Sequence, residues 1–240
     1  MSNYLISGVS RGLGKALART MLEGGDCVWG IGRSGERAVE DLIADYPQTF
    51  KYLSFDLSNL DDIKSRIFGE LITKDTPLDG LVNNAAIAYA DLVTNMNTKP
   101  LLEMFEINVY AAFLLTKYTI RNMILHGRRG SIVNISSVCA RKGFKGLAMY
   151  AATKGALESF SASTAREWGS RGIRSNCVAA GFMQTDMSAS LTEESLQKIF
   201  NRSALKSPTK MESVARTVRF LLGSGSESIT GQVVGVDSGA

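Results

Sequence analysis

The chain has 240 residues, of which 45% are hydrophobic and 21% are charged, and it contains 23 glycines. This length and apolar content suit one globular α/β domain over residues 1–240. The formal net charge of +4 comes from scattered basic residues, which argues against a nucleic-acid-binding protein. The three cysteines are far apart and no Cys/His cluster occurs, so we predict neither a disulfide framework nor a metal site.

The apolar segments predict a protein without a membrane partner. Every apolar run falls well short of the roughly 20 residues that a membrane-spanning helix needs. Residues 1–6 enter a strand almost at once and leave no room for a signal peptide. We therefore expect a cytoplasmic location.

The first predicted unit is a strand, a glycine-rich turn and a helix in succession. The strand covers residues 4–7, the turn residues 8–14 and the helix residues 15–23. Glycines let the backbone approach a phosphate closely, and the first turn of a helix offers N–H groups and a positive dipole. The spacing Gly-x-x-x-Gly-x-Gly differs from the commoner dinucleotide fingerprint, but its context predicts a phosphate cradle.

The second predicted strand, residues 27–31, ends beside an arginine. In dinucleotide-binding folds an acid at this place holds the ribose hydroxyls of NAD, whereas an arginine accommodates the 2′-phosphate of NADP. Arg33 stands here, and Arg11 lies in the glycine turn. Two guanidinium groups suit a phosphate dianion, although two solvated surface arginines are the alternative. The pattern favours NADP(H).

A helix over residues 36–45 and a strand over residues 52–55 lead to Asp56. An acid at this strand end has two interpretations. Its carboxylate either accepts a hydrogen bond from the adenine amino group of a cofactor or caps the next helix.

The next predicted strand, residues 78–82, ends at Asn83 and Asn84. We expect these two amides to brace neighbouring strands and to line the cofactor cleft. A long amphipathic helix is predicted over residues 99–125, with Asn108 in an apolar stretch. Because asparagine is a mediocre helix former, Asn108 indicates either a function or a satisfied polar position.

The most informative chemistry follows a buried strand over residues 132–135, which delivers Ser137 at its end. Tyr150 and Lys154 are four residues apart on a helix that begins near residue 148, so they share one face. An ammonium beside a phenol favours phenolate and lowers the tyrosine pKa. A serine hydroxyl at the same place is suited to orient a substrate carbonyl. An ordinary surface pair on an amphipathic helix is the alternative for Tyr150 and Lys154.

The last third of the chain continues the alternation of strands and helices. A strand is predicted over residues 173–179, a helix over residues 212–222 and a final strand over residues 232–236. Residues 186–208 are polar and broken, and we expect a flap over the site. The whole pattern predicts a Rossmann-like, doubly wound parallel sheet of about seven strands with helices on both faces.

Together and in this order, these motifs resemble the short-chain dehydrogenase/reductase family over essentially the whole chain. The matching residues are Gly8, Gly12, Gly14, Asp56, Asn83, Asn84, Ala85, Asn108, Ser137, Tyr150, Lys154, Gly181 and Thr185. Three positions depart from the family pattern: Ser7 replaces threonine, Ala86 replaces glycine and Ala180 replaces proline. None of these changes removes a reacting group.

The resemblance implies an NADP(H)-dependent oxidoreductase with four catalytic residues. Tyr150 would be the general acid, and Lys154 would lower its pKa and hold the nicotinamide ribose. Ser137 would position the carbonyl, and Asn108 would maintain a water-linked proton relay. The implied cofactor-binding residues are Gly8, Ser10, Arg11, Gly12, Leu13, Gly14, Arg33, Asp56, Leu57, Asn83, Asn84, Ala85, Tyr150, Lys154, Gly181, Met183 and Thr185.

Within the family, residues 179–187 and 229–237 are most similar to 3-oxoacyl-acyl-carrier-protein reductases. This similarity implies an NADPH-dependent ketoreductase that converts a 3-oxoacyl thioester, bound to acyl carrier protein or to CoA, into the 3-hydroxyacyl form. It also implies an acidic carrier protein docked on Arg128 and Arg171, unless these are unrelated surface charges, and a homotetramer or homodimer. The alternatives are another carbonyl substrate (a sugar, steroid, polyol or small cyclic ketone) and a non-catalytic NADP-binding sensor.

Overall fold

A seven-stranded parallel sheet forms the centre of the computed structural model, which describes residues 1–184 and 192–240. The strands are β1 (Asn3–Ser7), β2 (Cys27–Gly32), β3 (Phe50–Ser54), β4 (Gly80–Asn83), β5 (Ser131–Ser137), β6 (Arg174–Ala180) and β7 (Val233–Val236). Their spatial order is β3-β2-β1-β4-β5-β6-β7, and each neighbouring pair is parallel. The predicted doubly wound sheet is confirmed.

Helices cover both faces of this sheet. They are α1 (Gly12–Glu23), α2 (Glu40–Asp45), α3 (Thr98–Phe105), α4 (Ala111–Leu125), α5 (Ala148–Trp168), α6 (Glu193–Phe200) and α7 (Met211–Leu222). Tyr4 and Ile6 of β1 contribute to the apolar core that contains α1 and α7, whereas Leu5 contributes to the core on the other face. Successive strand residues point to opposite faces, so one short strand supplies both cores. Among the described helices, none has the length and apolar character that crossing a membrane requires.

The order of the strands places a crevice at the end of β1. This strand lies between β2 and β4. The chain places β2 and β3 on one side of β1 and then places β4 to β7 on the other side. Ligands of open α/β sheets bind outside the carboxyl ends of the strands at such a switch point. Because Gly8 directly follows β1, the glycine loop opens into this crevice.

Two helical regions differ from the prediction. In place of one helix over residues 99–125, the chain forms α3, a π-helical segment over Glu106–Tyr110 and then α4. Asn108 lies in the π-helical segment, where single turns of this kind often mark functional sites. A second π-helical segment, Ile63–Leu71, was not predicted, and it departs from helical backbone angles at Phe68.

The predicted flap over residues 186–208 lies partly outside the described residues, as does Thr185. Its described part contains α6, which the prediction of a broken polar segment missed. Glu193 and Glu194 occupy the first turn of α6, where acids favour the helix dipole. Phe200 at the end of α6 makes an edge-to-face contact with Phe182, with ring centroids 5.9 Å apart. This contact attaches α6 to the segment that follows β6.

Candidate active site

The glycine loop, residues 8–14, packs directly against the segment that follows β4. Gly8 and Gly12 have φ angles of 77° and 54°, in the left-handed region that favours glycine. A Cβ atom on Gly8 would lie 2.9 Å from the Cα atom of Ala85. A Cβ atom on Gly14 would clash with the carbonyl oxygen of Gly8. The loop therefore needs glycine at these positions to come so close.

Ser7 and Asn84 fasten the loop to the end of β4. Ser7 Oγ accepts hydrogen bonds of 3.0 Å from the backbone N–H groups of Asn84 and Ala85. In return, Asn84 Nδ2 donates to the carbonyl oxygens of Ser7 at 2.9 Å and Gly8 at 3.2 Å. The serine that replaces the usual threonine thus provides a hydroxyl that binds both amides.

Asn83 does not line the cofactor cleft, contrary to the prediction. Its side chain is buried, and Nδ2 donates to Asn134 Oδ1 at 2.8 Å and to Thr116 Oγ1 at 3.0 Å. Adjacent residues at a strand end point to opposite faces. Asn83 therefore braces β5 and α4, while Asn84 faces the cleft.

The N-terminus of α1 fits an anionic group. Arg11 occupies the N-cap position, and arginine has donors only, so its side chain does not satisfy the first N–H groups of the helix. The first turn reads Gly-Leu-Gly-Lys and brings no acid to this place. Arg33, which is exposed after β2, lines the same cleft as Arg11. The free N–H groups and the dipole of the helix N-terminus suit the pyrophosphate of a dinucleotide, and the two arginines add positive charge to the same cleft.

Most of the predicted cofactor-binding residues share one cleft of about 400 Å³. Those that line it are Gly8, Ser10, Arg11, Gly12, Leu13, Gly14, Arg33, Asp56, Leu57, Asn84, Ala85, Tyr150, Lys154 and Met183. Within the described residues, the lining excludes Gly181 as well as Asn83. A Cβ atom on Gly181 would lie 2.6 Å from the Cα atom of Asp237, so this glycine serves close packing after β7.

Several apolar residues of the cleft were not predicted. They are Phe55, Ala86, Ile87, Ile107 and Ile135. The sequence could have indicated most of them, because they directly precede or follow a predicted site residue. Apolar walls of this kind are typical of small-molecule sites, in which a few polar groups set the orientation.

Asp56 lies in the cleft lining and also fastens the turn that follows β3, and its contact with an adenine stays a prediction. Its Oδ1 atom accepts hydrogen bonds from the backbone N–H of Ser58 at 3.0 Å and from Ser58 Oγ at 2.9 Å. The carboxylate thus stabilises the turn at Ser58, whereas Asn59 is the N-cap of the next helical segment, Leu60–Asp62.

Tyr150 and Lys154 lie one turn apart on α5, and both line the cleft. Lys154 is only 2% exposed, and its Nζ atom donates a 2.8 Å hydrogen bond to the carbonyl oxygen of Ile135. Nζ lies 5.6 Å from the centroid of the Tyr150 ring. Burial lowers the pKa of Lys154 to about 8.

The pKa of Tyr150 is raised, whereas the sequence predicted that Lys154 lowers it. Burial of the phenol is the main cause, and the neighbouring Cys139 acts in the same direction. Loss of water disfavours the phenolate, and the hydrogen bond of Lys154 goes to Ile135. A phenol with a raised pKa keeps its proton at neutral pH, and the role of Tyr150 as general acid stays a prediction.

Asn108 anchors one wall of the cleft. It is 1% exposed, and its amide group exchanges two hydrogen bonds of 2.9 Å with the backbone of Ile87. Asn108 Nδ2 also donates to Thr153 Oγ1 at 3.1 Å, next to Lys154 on α5. These bonds explain the asparagine in an apolar stretch. The proton-relay role of Asn108 stays a prediction.

Ser137 occupies the last position of β5, where the sequence placed it. Its Oγ atom accepts a 3.2 Å hydrogen bond from the backbone N–H of Cys139. In the part of the chain that the structure describes, neither Ser137 nor Asn108 belongs to the cleft lining. Contact of the Ser137 hydroxyl with a carbonyl substrate stays a prediction.

Arg128 and Arg171 lie far from the cleft of their own chain. They precede β5 and β6, at the amino ends of the strands, whereas the cleft lies at the carboxyl ends. The seven residues of β5 alone span about 20 Å between these edges. Arg128 also forms an ion pair with Asp79, with Nη1 and Oδ1 3.6 Å apart. Neither arginine therefore contacts a ligand in its own cleft.

Comparisons with known proteins agree with this arrangement. A family model described as enoyl-(acyl carrier protein) reductase matches residues 8–240. The chain is also 36% identical over 238 residues to the 3-oxoacyl-acyl-carrier-protein reductase FabG of Aquifex aeolicus, which covers 98% of this chain and 95% of that protein. The chain belongs to the short-chain dehydrogenase/reductase family.

Solved structures of similar fold lead to the same family of oxidoreductases. The structure of ElxO with NADP bound has a TM-score of 0.91 and 28% identity, and the match covers 99% of this chain and 98% of that one. A gluconate 5-dehydrogenase from Burkholderia cenocepacia, in complex with NADP and tartrate, has a TM-score of 0.92 and 26% identity, with coverage of 99% and 94%. This short-chain dehydrogenase/reductase is an NAD(P)-dependent oxidoreductase, as predicted.

Proposed function

We propose that this short-chain dehydrogenase/reductase is an NADPH-dependent ketoreductase that reduces a 3-oxoacyl thioester to the 3-hydroxyacyl thioester. One observation carries the proposal: Tyr150, whose pKa is raised by burial, lines the same cleft as the glycine loop. A protonated phenol and an anion-binding cradle thus share one small volume. Full-length similarity to 3-oxoacyl-acyl-carrier-protein reductases supports the substrate class.

The charges of the cleft support NADP(H) over NAD(H). Residues 33–35 after β2 are Arg-Ser-Gly, where an NAD-binding fold carries an acid for the ribose. Arg33 and Arg11 both line the cleft, and two guanidinium groups suit a 2′-phosphate dianion. When bound, the cofactor supplies the hydride chemistry, and the chain supplies orientation and the proton.

In the proposed mechanism, Tyr150 Oη donates its proton to the carbonyl oxygen of the substrate. Lys154 is largely protonated at neutral pH because its pKa is about 8. Its buried positive charge then stabilises the phenolate that proton donation leaves on Tyr150. Ser137 donates a hydrogen bond to the same carbonyl oxygen, and Asn108 holds Ile87 in the cleft wall.

A sugar-acid dehydrogenase is the second candidate, because a solved neighbour is a gluconate 5-dehydrogenase. Oxidation of an alcohol would run the same step in reverse, with Tyr150 accepting the proton as phenolate. The similarity to a 3-oxoacyl-acyl-carrier-protein reductase, at 36% identity against 26% for the gluconate 5-dehydrogenase, favours reduction of a 3-oxoacyl thioester instead. The ketoreductase therefore remains our first proposal.

We also propose acyl carrier protein as a partner and a homotetramer or homodimer as the working assembly. A carrier docked on Arg128 and Arg171 would sit at the edge of the sheet that lies opposite the cleft. Such a carrier would have to deliver its acyl chain to the cleft of another subunit. Docking at these arginines and oligomerisation are therefore linked in the proposal. A cytoplasmic location is part of the same proposal.

The test is the oxidation of NADPH, followed by absorbance, with acetoacetyl-CoA and with acetoacetyl-carrier protein, and repeated with NADH. We expect turnover with NADPH and faster turnover on the carrier-bound substrate. Arg128→Glu should slow only the carrier-bound reaction, whereas Arg216→Glu on the exposed face of α7 should slow neither. Cofactor binding without turnover on either thioester would contradict the ketoreductase and favour the sugar-acid alternative.

A further inference from the structure

The hydroxyl of Tyr52, on β3, connects the segments that carry the two cleft arginines. Tyr52 Oη donates a hydrogen bond to the carbonyl oxygen of Ser34 and lies 3.1 Å from Ser10 Oγ. A carbonyl oxygen accepts only, so the single proton of Tyr52 is committed to Ser34. Ser10 Oγ must then donate to Tyr52 Oη. The hydrogen bonds run in one direction, from Ser10 through Tyr52 to Ser34.

The local packing leaves room for this connection. A Cβ atom on Gly32 would lie 2.8 Å from Tyr52 Oη and would clash with Ser10 Oγ. The Tyr52 ring packs on the core that contains α1 and stacks with Phe50, with ring centroids 6.4 Å apart. Burial raises the pKa of Tyr52, so its hydroxyl stays protonated and able to donate.

The connected residues flank the two arginines in the sequence. Ser10 precedes Arg11, and Ser34 follows Arg33. All four line the cleft, whereas Tyr52 stands behind them. One hydroxyl therefore sets the separation between the two backbone segments from which the guanidinium groups extend. Fixing both segments before binding reduces the ordering cost of a ligand that needs both arginines.

We propose that Tyr52 is a positioning residue for the 2′-phosphate of NADP(H), acting through Ser10 and Ser34. The inference rests on the proposed preference for NADP(H). A 2′-phosphate is the part of the cofactor that both Arg11 and Arg33 would hold, so its affinity depends on their separation. A nucleotide without this phosphate gains little from the same arrangement.

The experiment is calorimetric titration of the protein with adenosine 2′,5′-bisphosphate and with 5′-AMP. The variants are Tyr52→Phe, which removes only the connecting hydroxyl, and Tyr46→Phe as a control. Tyr46 follows α2 and precedes β3, at the opposite edge of the sheet from the cleft. Thermal unfolding of each variant verifies that it is folded at the temperature of the titration.

We expect the wild type to bind the bisphosphate more tightly than 5′-AMP. Tyr52→Phe should lower the affinity for the bisphosphate by about 5- to 10-fold and change the affinity for 5′-AMP by no more than about 2-fold. Tyr46→Phe should change neither affinity. If Tyr52→Phe still prefers the bisphosphate as strongly as the wild type does, or loses affinity for both ligands equally, the role of Tyr52 is overturned and the NADP(H) preference stands. A wild type that binds both ligands alike overturns the NADP(H) preference and the inference with it.

Discussion

The hydroxyl of Ser136 donates a 2.8 Å hydrogen bond to Glu158 Oε1, which joins the strand that carries Ser137 to the helix that carries Tyr150. The other carboxylate oxygen of Glu158 accepts a 3.2 Å hydrogen bond from Arg141 Nε. Glu158 thus holds the chain on both sides of Ser137. Its side chain is 15% exposed, so this ion pair is better shielded than most surface pairs.

Replacing Glu158 is expected to impair the chemical step more than cofactor binding. In Glu158→Ala, Ser137 loses its support on both sides, and we expect kcat to fall by about 5- to 20-fold, because small displacements of catalytic groups are costly. The KM for NADPH should stay within about 2-fold, since the glycine loop lies on other segments. Steady-state kinetics measure both constants. Glu167→Ala, which removes an exposed carboxylate on the same helix, should leave both constants unchanged. If Glu158→Ala impaired kcat and the KM for NADPH to the same extent, the positioning role of Glu158 would be contradicted.

Removing the phenol oxygen of Tyr150 should abolish most of the activity. General acid catalysis contributes about 10²- to 10⁴-fold, and Tyr150→Phe should lower kcat by an amount in this range. Binding of NADPH, measured by fluorescence titration, should change little, because the ring remains in place. Tyr46→Phe is the control and should keep the full rate. A wild-type rate in Tyr150→Phe would overturn the mechanism.

The buried ammonium of Lys154 is expected to make protein stability depend on pH. Its pKa is about 8 in the folded chain and 10.5 as its ordinary value. Below pH 8 both states carry the charge, and the cost of burying it is fully present. Between the two pKa values the unfolded chain binds more protons, so the contribution of Lys154 to the free energy of unfolding rises with pH.

Urea unfolding of the wild type and of Lys154→Met measures this effect, since the variant lacks the titrating group. The free energy of unfolding of the wild type, relative to the variant, should rise by about 2 kcal/mol between about pH 7.5 and pH 9.5. Taking the difference removes the contributions of the other groups that titrate in this range. A difference that stays constant with pH would contradict the lowered pKa.

Arg174, at the start of β6, is expected to stabilise the end of α7. Its Nη1 atom donates to the carbonyl oxygen of Leu221 at 2.8 Å, and Nη2 donates to that of Gly223 at 3.1 Å. Lysine, a point charge, does not reproduce this fork. Arg174→Lys should lower the free energy of unfolding in urea by about 1–3 kcal/mol, and Arg216→Lys on the exposed face of α7 by less than about 0.5 kcal/mol. Similar losses in the two variants would contradict the capping role.

The alternation of strands and helices and the Tyr150–Lys154 pair follow from local patterns. Apolar runs that end in glycine or asparagine place those residues at the carboxyl edge of a parallel sheet. The four-residue spacing of Tyr150 and Lys154 places both on one helical face. These patterns depend only on neighbours in the sequence, which is why they predicted the cleft.

What the sequence did not reveal depends on contacts between distant segments. The sequence does not distinguish the adjacent residues Asn83 and Asn84. Only the position of β4 between β1 and β5 decides which one faces the cleft. The raised pKa of Tyr150 likewise reflects burial by the surrounding fold, with Cys139 acting in the same direction. The chain of hydrogen bonds from Ser10 through Tyr52 to Ser34 also joins three separate segments.

The clamp between the glycine loop and Asn84 has a consequence for the order of folding. Its hydrogen bonds join residues 76 and 77 positions apart, and β1 pairs with β4 across the same interval. Closing so long an interval is slow compared with forming a helix or a turn. During synthesis, residues 8–14 therefore acquire their final geometry only after β4 and Asn84 have left the ribosome and can pair with β1.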